Sequence, residues 1–325
     1  MSRSLREPIP RIDTSPELHE RLRGLARLEA GEIWEDPLHG HRVGVIDARD
    51  PAGLERLVGG RRPGMAVQDP PYNFAVGGSS SPGLFATELE DYLAFTREWV
   101  ANTVDLLADD AHLYIWLGAD QRRGFQPAAD VAVLLREESR LESRSWITVR
   151  NQRGYGTQAN WMAVRQEILY YRKGKPDFAV QHTAIPRLLR GYYKSVGGRR
   201  TETGERSGGE TIRPGNVWMD VQQVFYRSRE NVPGAYAQKP LAAIHRLLAS
   251  GEAPGARDGD KDTVLDLFAH SGTTLLAAEQ RGRRCMTADR DPVFAELTIR
   301  RLEHYRRSGR PGWQCEHPFP ELLEG

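Results

Sequence analysis

The sequence predicts an α/β fold built on a mostly parallel sheet. Short apolar runs of strand length alternate with segments of helical periodicity from Arg42 to Tyr305. Strands separated by helices pair in parallel, because each helix crosses back over the sheet. Two of the runs, Met65–Gln68 and Thr263–Phe268, stop abruptly at Asp69-Pro70-Pro71-Tyr72 and at Ala269-His270-Ser271-Gly272. Such turns lie at the carboxyl ends of strands, where open α/β sheets bind their ligands. With 325 residues, 39% of them hydrophobic and 27% charged, the chain can bury a large core and still solvate its surface.

Taken in order, residues 1–40 are charged and punctuated by proline, with one short helix expected at Glu17–Ala30. They read as an arm or lid. Arg42–Ile46 alternates as a strand ending at Asp47, Leu54–Val58 reads as a small helix, and Met65–Gln68 is a strand that two prolines terminate. Thr87 with Glu90 forms a capping box for a helix whose apolar face runs from Leu89 to Leu107. His112–Leu117 reads as a buried strand, Asp130–Glu138 as a helix, and Ser145–Arg150 and Glu167–Tyr171 as strands around a loop. Periodicity weakens from Lys173 to Tyr236, where Arg, Gly and Tyr dominate. Helix Leu241–Ser250, strand Thr263–Phe268, helix Thr273–Arg281 stopped by Gly282, strand Arg284–Ala288 and helix Val293–Tyr305 complete the alternation.

Composition excludes several classes of protein. No apolar run approaches the roughly 18 residues of a membrane-spanning helix, and the opening residues lack the apolar stretch of a signal peptide. Cys285 and Cys315 are too few for a disulfide framework and wrongly spaced for structural zinc, so no metal is implied and a reducing cytoplasm is expected. Both cysteines read as passive. The net charge of +1 rules out a uniformly basic coat, though not a local basic face.

Two constellations carry chemistry. In Val264–Thr274 an apolar strand runs through a small-residue turn straight into a helix, which lets a ligand approach the backbone and offers helix N–H groups to an anion. About twenty residues on, Asp289 ends the next strand, placed to accept both hydroxyls of a ribose. The other reading of the turn is an ordinary βα connection with Ser271 as helix cap. At Asp69-Pro70-Pro71-Tyr72 the Asp69 carboxylate and the Pro70 carbonyl can each accept an N–H of an aromatic amine, directing its lone pair at an electrophile. Tyr72 offers a face on which a flipped base can stack.

With these motifs in this order, the chain resembles the bacterial S-adenosylmethionine-dependent DNA amino-methyltransferases, in the arrangement where the DPPY tetrapeptide precedes the cofactor turn. The resemblance covers roughly Arg42 to Tyr305. It implies a Rossmann-like methyltransferase fold with an inserted target-recognition region, and catalysis by Asp69, Pro70, Pro71 and Tyr72. Asp266, Phe268, Ser271, Gly272 and Thr273 match the cofactor loop, Asp289 the ribose-binding acid, and Asp47 an acid near the adenine. Lys239 and Pro240 match the segment beside the methionine end. One departure stands at His270, where the family's loop has its first glycine; a solvent-side histidine without a catalytic role is expected there. The domain boundaries implied are an arm at 1–40, a catalytic half at 41–174, the target-recognition region at 175–235, a cofactor-binding half at 236–306 and a tail at 307–325.

Within that inserted region, the basic segment Arg187, Arg190, Lys194, Arg199, Arg200, Arg206 and Arg213 contains only Glu202, Glu205 and Glu210 as opposing charge. Such an asymmetry in a neutral protein suggests phosphate contacts with double-stranded DNA; a solvated loop is the alternative. Asn151–Asn160 adds polar groups suited to base edges, whereas Trp161, Trp218 and Phe225 are expected in the core. Protein-glutamine methyltransferases, with Asn-Pro-Pro-Tyr after the cofactor turn, and cytosine-C5 enzymes, with a Pro-Cys nucleophile, do not fit. The tetrapeptide alone tilts toward adenine-N6. Residues 151–174 and Asn216–Gln223 are similar to a branch associated with cytosine-N4, the expectation adopted. An RNA substrate and a catalytically silent DNA-binding regulator are the rival readings. The resemblance admits a cognate restriction endonuclease as partner and implies a cytoplasmic protein, nucleoid-associated when bound to DNA.

Overall fold

The computed structural model describes residues 10–12, 15–72, 89–118, 127–155, 161–181, 192–197, 199–203, 211, 213–252 and 259–323. Eleven strands are recognised among them: β1 (Ile33–Glu35), β2 (Arg42–Val45), β3 (Met65–Gln68), β4 (Ala111–Gly118), β5 (Leu141–Tyr155), β6 (Ala163–Lys173), β7 (Tyr192–Val196), β8 (Arg199–Thr203), β9 (Val217–Trp218), β10 (Thr263–Asp266) and β11 (Arg284–Asp289). The helices are α1 (Pro16–Arg23), α2 (Pro51–Val58), α3 (Leu89–Leu106), α4 (Pro127–Leu134), α5 (Leu241–Ala249), α6 (Thr273–Gln280) and α7 (Pro292–Ser308).

Nine strands form one sheet in the order β1-β2-β11-β10-β3-β4-β6-β5-β9. The central run from β2 to β4 is parallel throughout, and antiparallel pairs occur at β1–β2, β4–β6 and β5–β6. The mostly parallel sheet is therefore the one expected. Alternation along each strand divides the core. Met65, Val67, Val264, Cys285 and Tyr114 pack with α5, α6 and α7 on one face; Ala66, Leu265, Met286 and Leu113 pack with α2, α3 and α4 on the other. Both faces are covered, so β4 is buried along its whole length and reads as a continuous apolar run.

The crossover from β10 to β11 runs through α6, and that from β3 to β4 through α3, on opposite faces. The chain thus changes direction between β10 and β3, the switch point at which α/β sheets open a crevice. Local chemistry fixes the flanking helices. Asp291 caps α7 by accepting from the Val293 N–H at 2.9 Å, Pro292 begins the helix, and Gly309 ends it in the left-handed region at φ 70°.

Several expectations need correction. The first helix stops at Gly24 rather than Ala30, and the segment after it turns to bring Leu28 into the core. Residues 15–35 pack on the sheet and on α7 rather than standing off as an arm or lid. Ile12 and Leu22 bury beside Val232, Val293, Phe294 and Phe319, and β1 joins the sheet edge. Helix α4 spans Pro127–Leu134 rather than Asp130–Glu138, because the chain after it coils into turns. Strands β5 and β6 are longer than predicted, pairing out to Tyr155↔Ala163 beyond the end of β4. Trp161 and Phe225 are 93% and 53% exposed rather than core, and only Trp218 is buried. A separate antiparallel ribbon, β7–β8, occupies part of the region read as aperiodic. The capping Thr87 lies outside the described residues.

Candidate active site

Strands β3 and β10 are neighbours although almost 200 residues separate them. Their carboxyl ends are tied together: the Leu267 N–H donates to Gln68 Oε1 at 2.9 Å. The Asp69 turn and the Phe268–Thr273 turn consequently open side by side over the switch point.

Two prolines stop β3, so Asp69 leaves the ladder and turns its carboxylate toward the crevice. Tyr72 donates its hydroxyl to Asp69 Oδ1 at 3.0 Å, and the Lys239 ammonium stands 2.7 Å from Oδ2. Burial pushes the Asp69 carboxyl above the usual carboxylate range, with Lys239 and Tyr72 opposing the shift. Lys239 also donates to Ala237 O at 3.1 Å and lies over the rings of Tyr72 and Trp116. The preceding Gln238 is pinned from both sides, accepting from the Val232 N–H and donating to Glu230 O. Pro240 is the N-cap of α5. The fold therefore brings Lys239 to Asp69.

On the other side, Asp266 is buried and accepts from the Phe268 N–H at 2.9 Å, shaping the turn from beneath. Burial pushes its carboxyl up to about 7, and the neighbouring charges of Asp69 and Asp289 add to the shift. The Phe268 ring packs edge-on against Trp99 of α3. Gly272 caps α6 at φ 70°, and a Cβ there would lie 3.0 Å from the Thr298 Cα, so glycine is required. Ser271 is not the cap; its hydroxyl lies 3.2 Å from Thr273 Oγ1. Asp289 accepts from the His270 N–H at 2.9 Å and the Asp291 N–H at 3.0 Å, and burial raises its carboxyl to about 6. His270 adopts φ 45°, which explains why glycine suits this position. Its ring packs on Phe294 of α7 at 4.8 Å rather than standing on the solvent side. Asp47 follows β2 beside β11, and Arg49 pairs with it at 2.8 Å, holding its carboxyl low.

Sequence reasoning passed over Arg301. It is fully buried on α7 and donates to Ser271 O, Thr273 Oγ1, Glu230 O and Pro311 O. Burial lowers its pKa to about 10. One guanidinium so binds the cofactor turn to the segment that carries Lys239. An arginine on the apolar face of α7, in line with Phe294 and Leu297, was the available signal.

These residues fit S-adenosylmethionine. The first turn of α6 carries no side-chain cap and can receive a carboxylate. The mutually repelling Asp69, Asp266 and Asp289 suit a donor that brings a sulfonium and an ammonium. Asp289 retains lone pairs for ribose hydroxyls.

The basic residues are only partly visible. Arg187, Arg190 and Arg206 lie outside the described residues, and Arg213 is exposed. Lys194, Arg199 and Arg200 sit on the ribbon, where Lys194 pairs with Thr201, Val196 with Arg199, and Ser195 with Arg200.

Among the described residues, Asp36, His39 and His41 bring metal-ligand atoms within 4.8 Å of one another. Arg306 already pairs with Asp36 and with Glu279 at 2.7 Å. His41 Nδ1 accepts from the Cys285 N–H, which leaves the proton on Nε2, directed at Glu279. The group is an ion-paired clamp joining the β1–β2 turn to α6 and α7.

The N6/N4 methylase family model (N6_N4_Mtase), described as DNA methylase, matches residues 64–300. The type II methyltransferase M1.MboII of Moraxella bovis is 28% identical over 258 residues, 74% of this chain and 90% of that protein. The DNA adenine methyltransferase YhdJ of Escherichia coli K12 is 26% identical over 255 residues, 74% of this chain and 77% of that protein. Among solved structures, the cytosine-N4-specific PvuII DNA methyltransferase shares the fold with a TM-score of 0.53 at 13% identity, covering 79% of this chain and 84% of that one. A model spanning most of the chain, laid over a crevice built for the family's methyl donor, decides the matter: the protein belongs to the S-adenosylmethionine-dependent DNA amino-methyltransferases of the N6/N4 family.

Proposed function

We propose that this protein methylates the N4 amino group of a cytosine flipped out of double-stranded DNA. The observation that carries the chemistry is the partly buried Asp69 carboxylate at the switch point, an acceptor beside the cofactor turn and next to Tyr72. S-adenosylmethionine supplies an electrophilic methyl group when bound. Asp69 and the Pro70 carbonyl accept the two N–H bonds of the amine, so its lone pair is directed away from the ring and toward the methyl group. Positive charge then grows on the nitrogen, and the Asp69 carboxylate stabilises it and takes up the surplus proton. Tyr72 supports the base by stacking.

The choice of cytosine rests on residues 151–174 and Asn216–Gln223. Adenine-N6 is the second reading, favoured by Asp in the tetrapeptide and by the similarity to an adenine methyltransferase. Digesting methylated DNA to nucleosides and weighing them by mass spectrometry separates the two, and only N6-methyladenine would overturn the first reading. Matched DNA and RNA substrates in the same assay test the RNA alternative, and consumption of no cofactor on any DNA would favour a silent regulator.

For DNA binding, the ribbon carries Lys194, Arg199 and Arg200 against Glu202. A major groove admits a two-stranded ribbon, so the ribbon is read as an element that meets the duplex. Arg187, Arg190, Arg206 and Arg213 extend the same basic stretch of sequence. The type II name of a relative supports a cognate restriction endonuclease as partner, and a cytoplasmic, nucleoid-associated protein follows from that reading.

A further inference from the structure

We infer that Lys239 is the resident counter-ion of Asp69: in the DNA-free enzyme it occupies the acceptor that the target amine needs, and it yields that acceptor when the base enters. The inference rests on Asp69 being the catalytic acid. Geometry supports it in three ways. The Lys239 side chain is only 7% exposed and its ammonium lies 2.7 Å from Asp69 Oδ2, so this is no solvated surface pair. Its delivery is rigid, because Ala237 is held at φ 59° and Gln238 is tied to Val232 and Glu230. It also has somewhere to remain once displaced: Ala237 O at 3.1 Å, and the faces of Tyr72 and Trp116 at 5.1 and 5.6 Å from Nζ.

The consequence concerns protonation. Tyr72 and Lys239 touch Asp69, while Asp266 on β10 and Tyr92 on α3 interact with it at longer range. Lys239 is the cation in this group. Burial favours a protonated Asp69, and a protonated carboxyl is a poor acceptor for the amine. Lys239 keeps the carboxylate ionised and ready while the pocket is empty. It is a positioning residue in this sense, acting through Asp69.

The test compares Lys239→Gln with Lys239→Arg in the full-length protein. With cofactor and DNA, the acid limb of the kcat/KM–pH profile, which reports the enzyme before the base enters, should move up by about one to three pH units in the Gln variant and stay in place in the Arg variant. A merely structural role would lower the rate equally at every pH. Without cofactor or DNA, 13C NMR of carboxyl-labelled aspartate reads the same shift, with the Asp69 signal assigned by its loss in Asp69→Asn. An unmoved Asp69 midpoint in Lys239→Gln overturns the proposal. So does a wild-type midpoint above about pH 7, which needs no variant to fold. A wild-type enzyme that methylates no DNA would sink the proposed function, and the NMR titration would still decide the role of Lys239.

Discussion

Asp69 and Asp289 are both acids at strand ends, yet they should fail differently. Replacing Asp69 with Ala removes an acceptor for the amine and should lower kcat on the order of 10²–10³-fold, with cofactor affinity by calorimetry largely retained. Asp289→Ala should instead weaken cofactor binding measured without DNA, because its carboxylate is the proposed acceptor for the ribose hydroxyls and also fixes the His270 N–H. The raised carboxyls add a pH signature. Asp266 at about 7 and Asp289 at about 6 hold protons that a cationic donor must displace. Cofactor affinity should therefore rise as pH increases through 6 to 7, and an affinity flat across that interval would contradict the placement of the donor among these acids.

At the scale of elements, Arg199 and Arg200 both belong to β8 of the ribbon. Replacing both with Ala should flatten the salt dependence of DNA binding by roughly 0.9 log unit for each phosphate no longer neutralised. Binding titrations over a range of salt concentrations read the slope, and an unaltered slope would mean that the pair does not touch the backbone. Helix α7 has a compound task. Its apolar face builds the core while Arg301, on the same helix, ties the cofactor turn to the Lys239 segment.

Over the whole molecule, segments early and late in the described residues close on α7. Arg27 and Arg300 pair with the buried Glu296, and Arg306 joins Asp36 to Glu279. Leu22→Ala should cost about 2–5 kcal/mol in denaturant unfolding, since Leu22 is fully buried in that seam. The seam also sets an acid limit. Glu279 is lowered to about 2, and Glu296 and Asp36 are held below their usual range. Groups with depressed values stabilise fully above about pH 4.5 and lose that contribution as pH falls through the folded value. The raised Asp266 and Asp289 work oppositely: their destabilisation grows as pH rises from about 4 through 6 and 7. Melting temperatures should thus fall steeply below pH 4.5, and added cofactor should raise them more at pH 7.5 than at pH 5.5.

The alternation of strands and helices, the stop at Asp69-Pro70-Pro71 and the turn into α6 were legible from the chain alone. Each depends on local steric and hydrophobic pattern, and β3 lies where the sequence predicts it. The ribbon was not legible, because Tyr192–Val196 and Arg199–Thr203 lack the one-sided apolar alternation of a strand on a core. Trp161 reads as core by residue type, yet it follows a hairpin end that runs past β4, where burial depends on distant chain. Arg301 is tolerated in the interior because carbonyls from positions 230, 271 and 311 converge on it. The meeting of Asp69 with Lys239 likewise required the fold. Sequence determined which chemical groups the protein owns and the turns that present them. Tertiary structure decided which of them meet, since burial and Coulomb interaction act through space and are blind to separation along the chain.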